Sequence, residues 1–349
     1  MSRLRPALLF VFLALFSISS HAQDSFKVCW SIYAGWMPWD YGAKSGIVKK
    51  WADKYKIKID VVQINDYVES INQYTAGKYD GCTMTNMDAL TIPAAGGVDS
   101  TALVVGDFSN GNDGIVLKGK TGLKDIKGQK VNLVQLSVSH YLLARGLSTV
   151  GLSEKDITVV NTSDADMVAV YGSKDVTAVT TWNPLLSEVM AMPQSHKVFD
   201  SSQIPGEIID LMVVNTDTLK KNPNFGKALT GAWYEIMSSM RGTNAQAVAA
   251  RTDMAKASGT DLKGYDAQLA TTQMFYDAAS AVGFTNSPKL KDTMKYVAEF
   301  SYAHGLLGEG AADAKVIGIQ MPAGVYGNPN KVKLRFDPTY MKLAAEGKL

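Results

Sequence analysis

Residues 26–64 read FKVCWSIYAGWMPWDYGAKSGIVKKWADKYKIKIDVVQI, and this stretch decides the fold class. The β-branched run FKVCWSI is followed by a segment in which Ile47, Trp51 and Tyr55 recur at four-residue spacing. The second run IKIDVVQI comes directly after that segment. Four-residue spacing predicts a helix with one apolar face, on which Trp51 is a core residue, and the two runs predict strands. The stretch therefore indicates a strand-helix-strand unit of a parallel sheet.

The same alternation continues along most of the chain. After residues 79–84 and TALVVGDF (101–108), the turn-rich SNGNDG (109–114) precedes a second series of strands and helices that ends with VTAVTTW (176–182). The strand IIDLMVVN (208–215) follows, and no strand of comparable strength comes after it. Apolar spacing in the last third instead predicts helices over 219–241, 244–257, 265–282 and 291–306.

The length of the chain favours two lobes, because single hydrophobic cores stop growing at about 250 to 300 residues. The strand series predicts a first lobe made of residues 23–111 and 213–349, the latter part including the carboxyl-terminal helices. Residues 112–212 form the second lobe, and the chain crosses between lobes near 110–113 and 206–210. Each lobe is expected to hold a mainly parallel sheet flanked by helices.

The amino terminus has the pattern of a secretory signal. Arg3 and Arg5 precede an apolar run over residues 7–16, and the small residues Ser20 and Ala22 suit a cleavage before Gln23. The run is too short for a membrane anchor, and no Cys follows that could carry a lipid. We expect residues 1–22 to be a signal peptide and the mature chain to be a periplasmic monomer.

The charge balance excludes a nucleic-acid-binding role. The chain has 35 Lys and Arg against 33 Asp and Glu, and removal of the two signal arginines leaves 33 against 33. A net charge near zero gives no attraction to polyanions.

Cys29 and Cys82 are the two cysteines of the chain, and both lie in strand-like runs. An oxidising compartment permits a disulfide between neighbouring strands, while two buried free thiols fit the pattern equally well. The sequence leaves both alternatives open.

The motifs of common enzymes are absent or misplaced. Gly114 to Thr121 matches a phosphate-loop pattern, but strand-like residues fill the loop itself. His140, His196 and His304 lack zinc-site spacing, and neighbouring Ser139 and His140 point apart as a nucleophile pair. We predict no catalytic residue, no metal and no cofactor.

The loops at strand ends carry aromatic and acidic side chains. Trp36, Trp39 and Trp182 lie in such loops, where an indole either seals a core or contacts a ligand. The same loops contain no Lys or Arg, and their acids are Asp40, Asp88, Asp107, Asp113, Glu207 and Asp210. Helix N-termini can bind anions without Arg, but the balance favours a neutral or cationic ligand.

Several of these acids also have an ordinary structural interpretation. Asp88 could cap a helix, and Asp107 and Asp113 could stabilise turns. Glu207 and Asp210 have the fewest such local explanations, so they are favoured as ligand-binding acids.

The segments AGKYDGCTMTNMDAL (76–90), TSDADMVAVYGSKDVTAVTTWNPLL (162–186) and IPGEIIDLMVVN (204–215) resemble the nitrate, sulfonate and taurine type of ABC solute-binding proteins. The resemblance covers essentially the whole mature chain. The opening VCWSIYAGWMPWDYG (28–42) and TTWNP (180–184) are similar to a subgroup associated with urea carboxylase and guanidine use.

This resemblance implies a two-lobed type II periplasmic binding protein fold that closes on a small solute. It implies delivery of that solute to an ABC permease and its ATPase, without catalysis. The absence of Arg in the loops favours guanidinium or urea, with nitrate, taurine or an aliphatic sulfonate as the alternative. Together with the two acids favoured above, the expected ligand-binding residues are Trp36, Asn86, Asp88, Ser139, His140, Trp182, Asn183, Glu207 and Asp210.

Two other classes compete with transport. Thiamine-pyrimidine synthases are enzymes of the same fold, but their Cys-rich motif is absent from this sequence. A sensory ectodomain would need a membrane tether, which the sequence also lacks.

Overall fold

The structure is a computed structural model, and it describes residues 23–349. The predicted signal peptide, residues 1–22, lies outside the described residues. Within residues 23–349, no helix combines the length and the apolar character that crossing a membrane requires.

The strands form two sheets. Their bounds are β1 Ser25–Trp30, β2 Lys58–Gln63, β3 Gly81–Thr85, β4 Ser100–Ser109, β5 Asp113–Lys118, β6 Lys130–Leu133, β7 Thr158–Asn161, β8 Ala178–Trp182, β9 Ser195–Asp200, β10 Ile209–Asn215, β11 Thr272–Met274, β12 Gly318–Met321, β13 Gly324–Tyr326 and β14 Val332–Phe336. The first sheet has nine strands in the order β13-β12-β14-β4-β10-β3-β1-β2, with β11 paired to β4. The second sheet has five strands in the order β7-β6-β8-β5-β9.

Helices surround both sheets. Their bounds are α1 Met37–Lys44, α2 Ile47–Lys54, α3 Tyr67–Thr75, α4 Asn86–Ala89, α5 Val138–Thr149, α6 Asp164–Tyr171, α7 Leu185–Met190, α8 Thr216–Lys221, α9 Pro223–Met240, α10 Ala245–Ala257, α11 Leu262–Leu269, α12 Ala278–Thr285, α13 Pro288–Ala303 and α14 Thr339–Ala345. The predicted unit over residues 26–64 is present, because β1 and β2 pair in parallel across α1 and α2.

Both sheets are mixed, which corrects the expectation of mainly parallel sheets. Strand β10 runs antiparallel to both neighbours, β3 and β4, and in the second sheet β5 runs antiparallel to β8 and β9. The chain leaves the first sheet through β4 and returns through β10, so these two strands lie side by side in opposite directions.

Two segments, residues 110–112 and 201–208, connect the sheets. Strand β10 pairs in the first sheet from Ile209 onward, so the last residues of the predicted second lobe, 209–212, lie in the first sheet. The division of the chain into two lobes stays a prediction.

The last third contains strands that the sequence analysis did not predict. The expected helix over 265–282 is interrupted by β11, and β12, β13 and β14 extend the first sheet. The expected helix over 219–241 is divided before Pro223 into α8 and α9. These strands have only 3 to 5 residues, which is too short for a period of two to be distinguished from helical spacing.

A disulfide joins the two cysteines. Cys29 and Cys82 are directly opposite each other on the paired strands β1 and β3, with Cα atoms 4.4 Å apart. The structure therefore selects one of the two alternatives that the sequence left open.

Helix α9 packs closely against α2 through a glycine. Trp51 of α2 lies over Gly231 of α9, and its Nε1–H donates to Glu235 at 2.7 Å. Trp51 is partly buried and packs against the hydrophobic core, and its indole N–H reaches this carboxylate.

We expect Gly231→Ala to lower the free energy of unfolding by about 1 to 3 kcal/mol, because the added methyl would overlap the Trp51 ring. Gly283 of α12 is the matched control, since a Cβ there meets no atom within 4 Å. Gly283→Ala should raise stability by roughly 0.5 to 1 kcal/mol through helix propensity. Urea denaturation of both variants checks this, and equal stabilities would contradict the packing argument.

Candidate functional site

A small cavity of about 10 Å³, partly open to solvent, lies between the two sheets. A cavity of this size has room for about one water molecule, so its walls must move apart before a solute can enter. Elements of the first sheet and elements of the second both contribute to its wall. The lining residues are Tyr33, Trp36, Tyr67, Thr85, Asp113, Val138, Trp182, Ile208 and Asp210.

Aromatic rings form a continuous wall from one sheet to the other. Tyr33 and Trp36 follow β1, Tyr67 begins α3, and Trp182 ends β8 of the second sheet. The ring of Trp36 is 5.0 Å from Tyr33 and 5.6 Å from Tyr67, and Tyr67 is 5.7 Å from Trp182, between centroids. Trp36 Nε1 is buried and has no hydrogen-bond partner in the described chain. The wall offers flat faces and one free N–H donor.

Buried carboxylates surround the cavity. Asp113 and Asp210 line it, while Asp107 and Asp88 lie directly behind Asp210 and Tyr67. None of these four is more than 3% exposed. Among the lining residues of the described chain there is no Lys, Arg or His. Burial of acids without a cationic partner is costly, and a cationic ligand would relieve that cost.

Asp88 is held by neutral hydroxyl groups. Its Oδ2 accepts hydrogen bonds from Tyr67 Oη at 2.6 Å and Thr85 Oγ1 at 2.8 Å. Its Oδ1 has no partner in the described residues. Burial raises the pKa of Asp88 to about 6, although these hydroxyl hydrogen bonds oppose the rise. The carboxylate is thus poised to interact with a positive charge.

The remaining three carboxyl groups repel one another. Burial raises the pKa of Asp113 to about 7, against a hydrogen bond from Ser109. Burial, followed by the charges of Asp107 and Asp113, holds the pKa of Asp210 well above its usual range. Burial also raises the pKa of Asp107, whose Oδ1 accepts from Tyr33 Oη at 3.1 Å. These raised pKa values are those of carboxyl groups that no positively charged side chain of the lining compensates.

Residues 47–240 match the family model described as "NMT1/THI5 like", which is more than half of the chain. The chain belongs to this family. The taurine-binding periplasmic protein of Escherichia coli (strain K12) is 24% identical over 130 residues, which are 36% of this chain. The matched part spans about 40% of that curated relative.

Solved structures share the fold of this NMT1/THI5-like chain. The alkanesulfonate-binding protein SsuA from Xanthomonas axonopodis pv. citri bound to MOPS matches with a TM-score of 0.66 at 16% identity, over 82% of this chain and 96% of that one. The periplasmic nitrate-binding protein NrtA from Synechocystis PCC 6803 matches with a TM-score of 0.59 at 12% identity. This match covers 94% of this chain and 99% of that one. The predicted α/β fold of periplasmic binding proteins is confirmed, with two sheets.

The structure brings four of the nine sequence-predicted site residues to the cavity of this NMT1/THI5-like chain. Trp36, Trp182 and Asp210 line it, and Asp88 lies behind Tyr67. Ser139 is buried at the start of α5, next to the lining residue Val138, and its Oγ has no partner in the described chain. Their roles in ligand binding stay predictions.

The other four residues make hydrogen bonds away from the lining. Glu207 accepts from Arg145 Nε and Nη2 at 2.8 Å each and from Tyr141 Oη at 2.6 Å. Asn86 binds the backbone of Glu207 and Ile209. Asn183 Oδ1 accepts from Ser187 at the start of α7. His140 contacts Glu154.

Sequence reasoning passed over two acids that the structure places at the site. From the sequence, Asp107 and Asp113 are loop acids that could stabilise turns, but they lie within β4 and at the start of β5. The useful signal was that acids interrupt otherwise apolar strand sequences. Trp39, in contrast, belongs to α1 and packs on Trp233 with centroids 5.1 Å apart, so it is a core residue.

A second polar cluster consists of His140, Glu154 and His304, whose ligand atoms lie within 4.8 Å of one another. Glu154 contacts both His Nε2 atoms, and His304 Nδ1 hydrogen-bonds to the Phe300 carbonyl at 2.8 Å. The Leu136 N–H donates to His140 Nδ1 at 3.1 Å, which leaves the proton of the neutral ring on Nε2. A metal ion would need a lone pair on His140 Nε2. The cluster is therefore suited to hydrogen bonds from the histidines to Glu154.

This cluster joins α5 of the second sheet to the end of α13. The contact with Glu154 raises the pKa of His304. Burial disfavours the ionised form of Glu154, but both histidines outweigh it and lower its pKa to about 2. Stability from His304 is present below its unfolded pKa and is lost as the pH rises. Stability from Glu154 is present above its unfolded pKa and is lost toward pH 2.

We therefore expect Glu154→Gln to cost about 1 to 3 kcal/mol of unfolding free energy at roughly pH 5.5, where both contributions are present. The cost should be smaller at pH 9 than at pH 5.5, because the ion pair with His304 is lost as the pH rises through the raised pKa of this histidine. Urea denaturation at both pH values checks this, with the exposed Glu309→Gln as control. A cost that is the same at both pH values would refute a charged His304.

Proposed function

We propose that this chain is the periplasmic solute-binding protein of an ABC importer and that its ligand is a small nitrogenous cation, guanidinium. The single observation that carries the ligand class is the cavity between the sheets, with buried carboxylates, aromatic walls and no basic lining residue in the described chain. The signal pattern of residues 1–22 and the likeness to periplasmic binding proteins support export and transport.

The charge of the cavity argues against an anionic ligand. The similar proteins are named for taurine, alkanesulfonate and nitrate. An anion about 4 Å from one carboxylate is disfavoured by about 4 kcal/mol at an effective dielectric constant of 20. The same term favours a cation by a similar amount. Nitrate or a sulfonate would therefore need a different set of side chains from the one present here.

Guanidinium fits the available groups. It is planar, so the indole faces of Trp36 and Trp182 can stack on it, and its N–H groups can donate to Asp113 and Asp210. Urea is the second candidate, because its carbonyl oxygen could accept the unpaired N–H of Trp36. Urea lacks the charge that the carboxylates favour.

The protein acts by binding and not by catalysis in this proposal. Contacts to both sheets stabilise a closed form, which an ABC permease with its ATPase recognises. We expect saturating guanidinium to reduce the radius of gyration of the free protein, because the cavity is closed by residues of both sheets. X-ray scattering with and without ligand checks this, and an unchanged radius at confirmed saturation would argue against hinge closure.

Calorimetric titration of the mature protein with guanidinium, urea, nitrate and taurine tests the function. We expect guanidinium to bind most tightly and to be recovered unchanged. At a hundred times the dissociation constant it should stabilise the fold by about 2.7 kcal/mol, which is visible as a thermal shift. Tight binding of nitrate or taurine with no heat from guanidinium or urea would overturn the ligand assignment.

A further inference from the structure

Asp107 and Asp210 form a carboxyl pair inside the first sheet. They are directly opposite each other in the antiparallel pairing of β4 with β10. Both are buried, with exposed fractions of 0% and 2%. Like charges at opposed positions destabilise a sheet, and two buried carboxylates cannot both be ionised without a counter-charge. The sheet can hold this pair only if a positive charge or a proton accompanies it.

The contacts of the pair identify the proton. The register places the two carboxyl groups side by side on one face of the sheet, and two acceptors at such positions can pair only through one proton held between them. Tyr33 Oη donates to Asp107 Oδ1. No other hydrogen-bond donor of the described chain reaches Asp107 Oδ2 or Asp210 Oδ2.

The neighbouring groups supply no compensating positive charge. Gly35 lies against Asp107 so closely that a Cβ there would contact Oδ2 at 2.5 Å, which leaves no space for a larger side chain. The other titratable groups that act on the pair are Tyr33, Asp113, Tyr265 and Tyr276. Asp88 acts on Asp113, Arg251 acts on the outer Tyr265 and Tyr276, and Arg241 acts on Tyr276.

We propose that Asp107 and Asp210 share one proton in the free protein and release it to solvent when a cation enters the cavity, so that ligand uptake exchanges a cation for a proton. This inference rests on the proposed cationic ligand. The O–H bond of the shared carboxyl breaks, the proton goes to water, and the ionised pair accepts N–H donors of the ligand. The total charge of the buried site is then the same before and after binding.

Exchange makes affinity depend on pH. Each proton released on binding strengthens the observed affinity by up to tenfold per pH unit, for as long as the free protein holds that proton. Asp113 also has a raised pKa of about 7, so its own contribution to the proton release should fade by pH 8.5. Burial and the charges of Asp107 and Asp113 raise the pKa of Asp210 well above its usual range, so the pair keeps a proton to higher pH than an isolated carboxyl group does.

Titration calorimetry with guanidinium chloride at pH 8.5 tests the exchange. Binding heats measured in tricine and in borate differ by the number of protons released multiplied by the difference between the buffer ionisation enthalpies. We expect about one proton to be released and the dissociation constant to fall with pH between about 7 and 8.5. Binding with the same heat in both buffers would overturn the exchange and leave the proposed function standing.

Asp210→Asn distinguishes the pair from a general effect of acids. The amide donates permanently to Asp107, so proton release at pH 8.5 should disappear even if affinity falls. Asp113→Asn should weaken binding but still release the proton. The exposed Asp53→Asn is the matched control and should behave like the parent. Full proton release by Asp210→Asn would refute the assignment of the released proton to the pair. Failure of guanidinium to bind the parent would overturn the proposed function together with the exchange.

Discussion

Asp113→Asn is expected to weaken guanidinium binding by about 2 to 5 kcal/mol at pH 8.5, while urea binding changes far less. The substitution keeps the size of a buried side chain that lines the cavity and removes its charge. Guanidinium loses a charge-assisted hydrogen bond, whereas neutral urea loses only a neutral one. Calorimetric titration of both ligands into parent and variant gives the two differences directly.

Two further variants make that result specific. Asp53→Asn changes an exposed acid in the same way and should leave both affinities unchanged. Trp182→Ala removes a ring that contacts Tyr67 across the cavity and should weaken guanidinium and urea alike. Equal losses for the two ligands in Asp113→Asn would show that charge is not what the carboxylate contributes.

Replacement of both cysteines by alanine is expected to lower the free energy of unfolding by about 2 to 5 kcal/mol. The Cys29–Cys82 disulfide closes a loop across a sequence separation of 53 residues, so it restricts the unfolded chain strongly. It also joins two adjacent strands of the first sheet close to the loop that carries Trp36. Urea denaturation of the double variant and the parent measures the loss.

A reductant provides the internal control. Dithiothreitol should destabilise the parent toward the stability of the double variant and should leave the variant itself unaffected. A parent that keeps its denaturation midpoint in reductant, and a double variant with the same midpoint, would show that the bond does not form in solution.

The sequence predicted the fold class because its signals are local. Four-residue spacing around Trp51 and the runs on either side identify the first strand-helix-strand unit without knowledge of the rest of the chain. The short strands β12, β13 and β14 were missed since each acquires its identity from pairing with a distant partner, for example β14 with β4.

The candidate site was predictable only in part, for a related reason. Trp36 and Trp182 could be selected because they follow strands in loops, and both line the cavity. The opposition of Asp107 and Asp210 depends on the register between β4 and β10, which no local pattern specifies. Glu207 stood out as an acid without a local partner, but its partner Arg145 comes from α5, which is remote in sequence.

The order of strands in the two sheets has a consequence for how the chain acquires its structure during synthesis. The second sheet uses only the continuous segment 113–200, so its strands can pair as soon as that segment has been made. The first sheet needs β10 between β3 and β4, and β14 beside β4. Such distant pairings form slowly, so the early strands keep unpaired edges until residues near 336 are available. The first sheet should therefore stay incomplete until nearly the whole chain has been made, whereas the second sheet can form much earlier.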